Sequence, residues 1–190
     1  MTVSADAEAA LGRYLDLLLR WNERINLTAV RDPEGIVERH FVDSLAVLPH
    51  VPAAATSLVD VGSGPGFPGA VVALARPDLA VTLVESNHKK CAFLETLRRE
   101  LPLPKTRVLS QRIEDVLAKP GFIPFDVAVS RATLDLPDWL ALGSRLVQPP
   151  GSVLGMEGAE IRDLPPGATR HPYDLGSSTR SLIVFHMEHS

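Results

Sequence analysis

The chain has 190 residues, 45% of them hydrophobic, enough to bury one core and leave a small extension beside it. Its formal net charge of −4 argues against a protein that coats nucleic acid non-specifically, and no apolar run approaches the roughly 20 residues that a membrane span needs. The start lacks a charged-then-apolar leader pattern, so a cytoplasmic protein is expected; a monomer is expected as well, and the single cysteine, Cys91, allows neither an internal disulfide nor a thiolate metal cage. Cys91 reads as a helix packing residue, and no metal is expected.

In chain order the pattern is helical first and alternating afterwards. Leu11, Leu15, Leu18 and Trp21, with Tyr14 beside them, follow helical spacing to about Ile25, and Asn26-Leu27-Thr28 breaks it. Arg13, Arg20 and Arg24 lie along one stripe of that helix, with Arg31 and Arg39 beyond it; Asp16, Glu23, Glu34 and Glu38 are close enough to make this a balanced, solvated face. Asp32-Pro33 supplies a cap and a first-turn proline to a second helix carrying Ile36, Val37, His40, Phe41, Leu45 and Leu48. Pro49, Pro52 and Ala53-Ala54-Ala55 form a junction, dividing an N-terminal helical extension (1–50) from a second unit (51–190). Beyond it, strand-like runs at 57–61, 81–85, 107–110, 125–130 and 152–156 alternate with helical stretches near 68–75, 87–100, 112–118 and 135–147. Such alternation predicts an α/β fold with a mainly parallel sheet and helices on both faces. Ser181–Phe185 is expected to close the sheet as an antiparallel strand, and the Pro/Gly-rich stretch 158–176 reads as a mobile loop.

The most informative segment is Leu58-Val59-Asp60-Val61-Gly62-Ser63-Gly64-Pro65-Gly66-Phe67-Pro68-Gly69. A dinucleotide fingerprint is Gly-x-Gly-x-x-Gly and aims a helix N-terminus at a pyrophosphate, whereas this loop is Asp-x-Gly-x-Gly-x-Gly. A carboxylate two residues before the first glycine repels phosphate and suits a cationic amino acid. S-adenosylmethionine matches, with an ammonium, a sulfonium and a phosphate-free ribose. Asp60 is expected near its cationic end, and Glu85, closing the next apolar run, is placed to accept from the ribose hydroxyls. Pro68 fits the first helical position after the loop. The ligand-free alternative is a Gly-rich strand-to-helix turn.

Candidate acceptors narrow by elimination. Methylating a pyrimidine ring carbon needs a cysteine nucleophile, and Cys91 lies on a helix away from the strand ends. Exocyclic amines are commonly methylated through an Asn/Asp-Pro-Pro-aromatic box after the fourth strand, where this chain has Asp126-Val127-Ala128-Val129-Ser130-Arg131-Ala132. What remains is an atom with an available lone pair, such as a purine ring nitrogen, for which orientation suffices. Small-molecule acceptors stay open on this argument.

Trp21-Asn22-x-x-Ile25-Asn26-Leu27-Thr28-Ala29-Val30-Arg31-Asp32-Pro33, Arg39-His40-Phe41-x-Asp43-Ser44-Leu45, the glycine loop, Arg112-Ile113-Glu114 and Ser130-Arg131-Ala132 together resemble the glucose-inhibited division protein B family, in order and spacing from about residue 11 to 158. Its members are bacterial 16S ribosomal RNA guanine-N7 methyltransferases. The resemblance implies a class I S-adenosylmethionine-dependent methyltransferase fold with a helical N-terminal extension, acting on a guanine in the 530-loop region of the small-subunit RNA. By motif it gives cofactor-loop contacts to Gly62 and Phe67 and places Ile113 and Glu114 flanking the adenine; together with the loop reading, the expected cofactor set is Asp60, Gly62, Ser63, Gly64, Gly66, Phe67, Glu85, Ile113, Glu114 and Arg131. It makes Arg131 the catalytic residue, at the junction of cofactor and RNA, and gives RNA contacts to Arg112, Arg131 and Arg180. A surface ion pair with Asp126 or Asp135 is the plain alternative for Arg131. His40 and Asp43 match the family without an assigned role.

Two departures stand out. Family members usually have lysine before the glycine that ends the fifth strand, where this chain has Met156-Glu157-Gly158, and Glu157 is expected to repel phosphate. The end, Phe185-His186-Met187-Glu188-His189-Ser190, lacks the lysines common in relatives. They keep two other readings open: a methyltransferase for a small metabolite, and a non-catalytic nucleotide- or ribosome-binding module.

Overall fold

The structure is a computed structural model that describes residues 3–131, 133–158, 163–176 and 178–187. Ala132, Glu188, His189 and Ser190, named above, lie outside the described residues.

Helix α1 (Ala5–Asn22) starts at Ser4, whose hydroxyl accepts from Ala7 N at 3.2 Å. It stops at Asn22, short of Ile25, because the buried Asn22 side chain holds the next loop: its Oδ1 accepts from Leu27 N at 2.9 Å and Thr28 N at 3.1 Å, and its Nδ2 donates to Thr28 O at 3.0 Å. Asp32 caps α2 (Pro33–Ile36) by accepting from Gly35 N at 2.6 Å, with Pro33 in the first turn. That helix runs on through a π-helical stretch (Val37–Val42) into α3 (Asp43–Leu45), and a 3₁₀ turn follows at Leu48–His50.

Strands β1 (Ser57–Val61), β2 (Ala80–Glu85), β3 (Thr106–Ser110), β4 (Phe125–Arg131), β5 (Val147–Glu157), β6 (Ala168–Leu175) and β7 (Ser178–His186) form one sheet in the order β3-β2-β1-β4-β5-β7-β6. The first five are parallel, while β7 runs antiparallel to β5 and β6. Crossovers run through α4 (Gly69–Ala75), α5 (His88–Glu100), α6 (Ile113–Leu117) and α7 (Leu136–Ser144). α1, α4 and α5 cover one face through Leu18, Val71 and Phe93, and α6 and α7 cover the other through Val116 and Trp139. Cys91 packs as expected, buried, with its thiol 3.1 Å from Glu85 O.

Three expectations are corrected. The stretch 158–176 is not all loop, since Ala168–Leu175 is strand β6, hairpinned to β7; residues 159–162 lie outside the described set. Its polar content and Pro172 suit the sheet edge, where one side of the strand needs no partner. β5 begins at Val147, where the last helix was expected to end, because Val147 already pairs with Phe125 before the register shifts. Pro68 stands just outside α4 as its cap residue rather than at its first position.

Candidate active site

The glycine loop leaves the C-terminal end of β1 and is tied at once to β2. Gly62 N and Ser63 N both donate to Val84 O, at 2.9 and 3.1 Å, and the chain then turns back so that Gly66 N and Phe67 N donate to Ser63 O at 2.7 and 2.9 Å. The turn needs left-handed backbone at Gly62, Gly64 and Gly66, with φ of +71°, +57° and +105°. Glu85 braces it from β2: Oε2 accepts from Gly64 N at 2.9 Å and Oε1 from Asn87 N at 2.8 Å. From the far side, the Tyr14 hydroxyl of α1 donates to Pro65 O.

Around the loop opens a cavity of about 570 Å³ at the C-terminal ends of the strands, lined by Gly62–Pro65, Phe67, Glu85, Ile113, Glu114 and Arg131. Its size is that of a small-molecule site, and its place is where parallel sheets bind ligands. Lys90, Gln111 and Thr133 also line it; their only sequence signal is a position just after β2, β3 and β4. The arrangement fits a nucleoside with a cationic tail. A Cβ built on Gly64 would meet nothing nearer than Gly62 O at 3.9 Å, so the loop leaves ligand space there. Each Glu85 oxygen accepts one backbone N–H and keeps acceptor capacity for a ribose hydroxyl.

Asp60 takes a different place from the one expected. It is fully buried behind the loop and does not line the cavity; its Oδ2 accepts from Gly69 N at 2.9 Å, starting α4, while Oδ1 has no hydrogen-bond partner among the described residues. Burial pushes its carboxyl up to about 7, with the Gly69 hydrogen bond pulling the other way. Asp60 therefore caps the start of α4 rather than lining the cavity.

At the end of the loop, Phe67 joins a cluster contributed largely by the N-terminal helices. Phe67 is stacked with Tyr14 (centroids 5.4 Å apart) and with His40 (4.7 Å), and the Arg131 guanidinium carbon lies 5.3 Å from its ring centre. His40 Nδ1 lies 2.9 Å from Arg39 O and must donate there, so Nε2 accepts from the Thr28 hydroxyl at 2.7 Å. Burial, then the Arg131 charge, lowers the imidazole to about 4, which leaves it neutral near pH 7.

Arg131 pairs with neither Asp126 nor Asp135. Its Nη1 donates to Asp43 Oδ2 at 3.1 Å and Arg39 O at 3.3 Å, whereas Asp126 Oδ2 is engaged by the Thr56 and Ser57 backbone and hydroxyls. Arg180 is drawn to the same Asp43 oxygen at 3.6 Å, and Arg112 lines the cavity with no ion pair among the described residues. Glu157 is 4.0 Å from Arg170 Nη1 across β7, which partly offsets its charge. Part of the basic surface is balanced likewise, by the Arg20–Glu100, Arg39–Asp32 and Arg98–Glu95 pairs.

A family model described as rRNA small subunit methyltransferase G matches residues 7–169. The chain belongs to this family. Ribosomal RNA small subunit methyltransferase G of Myxococcus xanthus is 47% identical over 163 residues, covering 86% of this chain and 75% of that protein. Its namesake from Xanthomonas axonopodis pv. citri is 46% identical over 192 residues, covering 96% and 88%. Among solved structures, the O-methyltransferase TomG from Streptomyces achromogenes, in complex with SAM, superposes with a TM-score of 0.67 at 16% identity, covering 100% of this chain and 93% of TomG. A SAM-dependent methyltransferase from Aquifex aeolicus gives 0.58 at 17%, covering 82% and 94%. These two likenesses are of fold, the class I methyltransferase architecture.

Proposed function

We propose that this family member methylates N7 of a guanine in the 530-loop region of bacterial 16S ribosomal RNA, using S-adenosylmethionine, as a cytoplasmic monomer. The observation that carries this reading is the cavity itself: the glycine loop, Glu85, Ile113–Glu114 and Arg131 line one pocket, with the Arg131 guanidinium held over Phe67. The names of the relatives, which act on small-subunit ribosomal RNA, support the substrate class.

When bound, S-adenosylmethionine supplies an electrophilic methyl on its sulfonium. Gly62–Phe67, Glu85, Ile113 and Glu114 are the residues to hold it. Guanine N7 carries its own lone pair, so the chain need supply no base, and the neutral His40 is spent on Thr28 and Arg39. The work left to the protein is orientation and charge. Arg131 lines the cavity with a permanent positive charge suited to a phosphate or to guanine O6, and Arg112 adds a second on the rim. With Glu157 paired to Arg170, the negative charge at the end of β5 does not stand against RNA alone.

The direct test incubates purified protein with methyl-labelled S-adenosylmethionine and small subunits from cells lacking the gene, then maps 7-methylguanine by reduction and strand cleavage. Label at a single 530-loop guanine is expected. Cofactor binding with no labelled RNA overturns the reading, and label appearing only in a small-metabolite extract replaces it with a metabolite acceptor.

A further inference from the structure

Arg131 and Arg180, both implied by the family resemblance to contact RNA, converge on one fully buried carboxylate, Asp43. Asp43 Oδ2 accepts from Arg131 Nη1 at 3.1 Å and lies 3.6 Å from Arg180 Nη1, while Oδ1 accepts from the Tyr173 hydroxyl at 2.7 Å. Four elements thus meet at one side chain: α3, β4, β6 and β7. A buried carboxylate is costly unless paired and hydrogen-bonded, and here both oxygens are engaged. Burial, and then the negative Asp43, push the Tyr173 hydroxyl above its ordinary range, so it stays a donor.

Two arginines against one aspartate leave a positive charge for something outside the protein, and both arginines keep access to solvent, with side chains 17% and 30% exposed. The Arg131 guanidinium is bounded by the Phe67 ring, by Arg39 O and by Asp43, all on the side of the N-terminal helices and the glycine loop. Its Nε and Nη2 donors meet no partner among the described residues.

We propose that Asp43 is a positioning residue for methyl transfer, fixing the Arg131 guanidinium so that its Nε–Nη2 edge serves the acceptor nucleotide, with Tyr173 fixing the carboxylate in turn. This rests on the role given to Arg131 above. The chemistry explains why an anchor is needed. Guanine N7 and O6 are the favoured bidentate partners of arginine, so an arginine free to swing would donate to N7 and cover the lone pair that must attack. Held through Nη1, Arg131 keeps one edge, Nε–Nη2, whose direction toward O6 or a phosphate is settled on folding rather than in the transition state.

The test compares the parent enzyme with Asp43→Asn, Arg131→Ala and the double variant in methylation of small subunits, with cofactor affinity measured alongside. Arg131→Ala is expected to lower kcat by about 100-fold or more. Asp43→Asn is expected to lower kcat by about 10- to 100-fold, with cofactor Kd and subunit KM within about twofold, and to add nothing in the Arg131→Ala background. A merely structural role would instead multiply with Arg131→Ala and move the Kd, and that result overturns the assignment. Wild-type turnover in Asp43→Asn beside a disabled Arg131→Ala overturns the assignment alone; wild-type turnover in Arg131→Ala overturns both it and the role of Arg131. Should Asp43→Asn fail to fold, Tyr173→Phe removes only the hydroxyl: a fall of about 3- to 10-fold, silent in the Arg131→Ala background, supports the assignment, and full activity overturns it.

Discussion

Gly62 and Gly64 share a left-handed backbone, yet a side chain would meet different surroundings at each. A Cβ on Gly62 would stand 2.5 Å from Thr133 Oγ1, while one on Gly64 has nothing nearer than 3.9 Å. Gly64→Ala therefore carries only the left-handed strain of about 1–2 kcal/mol, and Gly62→Ala adds a clash to it, for a loss of about 2–4 kcal/mol. Because the added methyl at 64 takes up ligand space, it is expected to weaken cofactor binding by about tenfold or more. Thermal unfolding and calorimetric titration separate the two effects, and unchanged cofactor affinity in Gly64→Ala would place the ligand elsewhere. Asp60 gives a prediction with a definite sign. Its folded carboxyl, at about 7, lies above the ordinary value near 4 of the unfolded chain, so the native state holds a proton that the unfolded state releases between them. Stability from this group is present at the acid end and lost as pH rises through about 7. Asp60→Asn cannot titrate, so the stability of the parent relative to this variant should fall between about pH 4 and about pH 7; a flat difference in urea midpoints would contradict it. The place of Asp60 was readable from strand alternation: Leu58 and Asp60 share one face of β1, toward α4, while Val59 and Val61 share the other. Charge pattern points to a ligand contact, whereas parity sets the side chain on the α4 side of the sheet.

At the scale of elements, the helices and parallel strands were legible because their signals are local: periodicity, caps and strand-end glycines. Asp32-Pro33 announces α2, and the first five strand centres fall where apolar runs stand. Two elements were not. β6 carries few apolar residues because, as an edge strand, it packs little, so its pairing partner β7 defines it rather than its own composition. The π-helical stretch has no sequence signature, yet it presents both His40 and Phe41 to Phe67, with ring centroids 4.7 and 5.7 Å away. Tyr14 is equally silent in sequence, since it braces a loop 51 residues further on. Its burial raises the phenol well above the ordinary range and keeps it a donor to Pro65 O. Tyr14→Phe is expected to strand that carbonyl, costing about 1–3 kcal/mol and lowering the melting temperature by roughly 2–10 °C. Cofactor affinity should fall with it, because the loop loses its outer brace. A variant as stable as the parent, with the same Kd by titration, would mean that the loop holds its shape without α1.

For the molecule as a whole, composition suggested a junction near residue 50, and the packing says how much depends on what precedes it. Tyr14, Leu17, Leu18, Ile36, Phe41 and Val47 are all buried in the same core as Leu58, Phe67 and Phe93. At about 1.5–3 kcal/mol for each large apolar side chain, those six contribute on the order of 10 kcal/mol before ordering costs. That matches the whole net stability of a domain, about 5–15 kcal/mol. The same segment supplies Asp43 to Arg131 and His40 to Phe67, so the site and the core share one dependence on it. A chain of residues 51–190 is therefore expected to lose more than an appendage. Exposing the Phe67–Phe93 face should leave it without a cooperative thermal transition, with weak near-ultraviolet dichroism, strong binding of a hydrophobic dye and no measurable cofactor affinity. Supplying residues 1–50 as a separate chain should restore all four together if packing is the cause. If 51–190 instead melts cooperatively and binds cofactor like the full chain, the N-terminal helices are an independent unit, and the single core described here does not govern the fold.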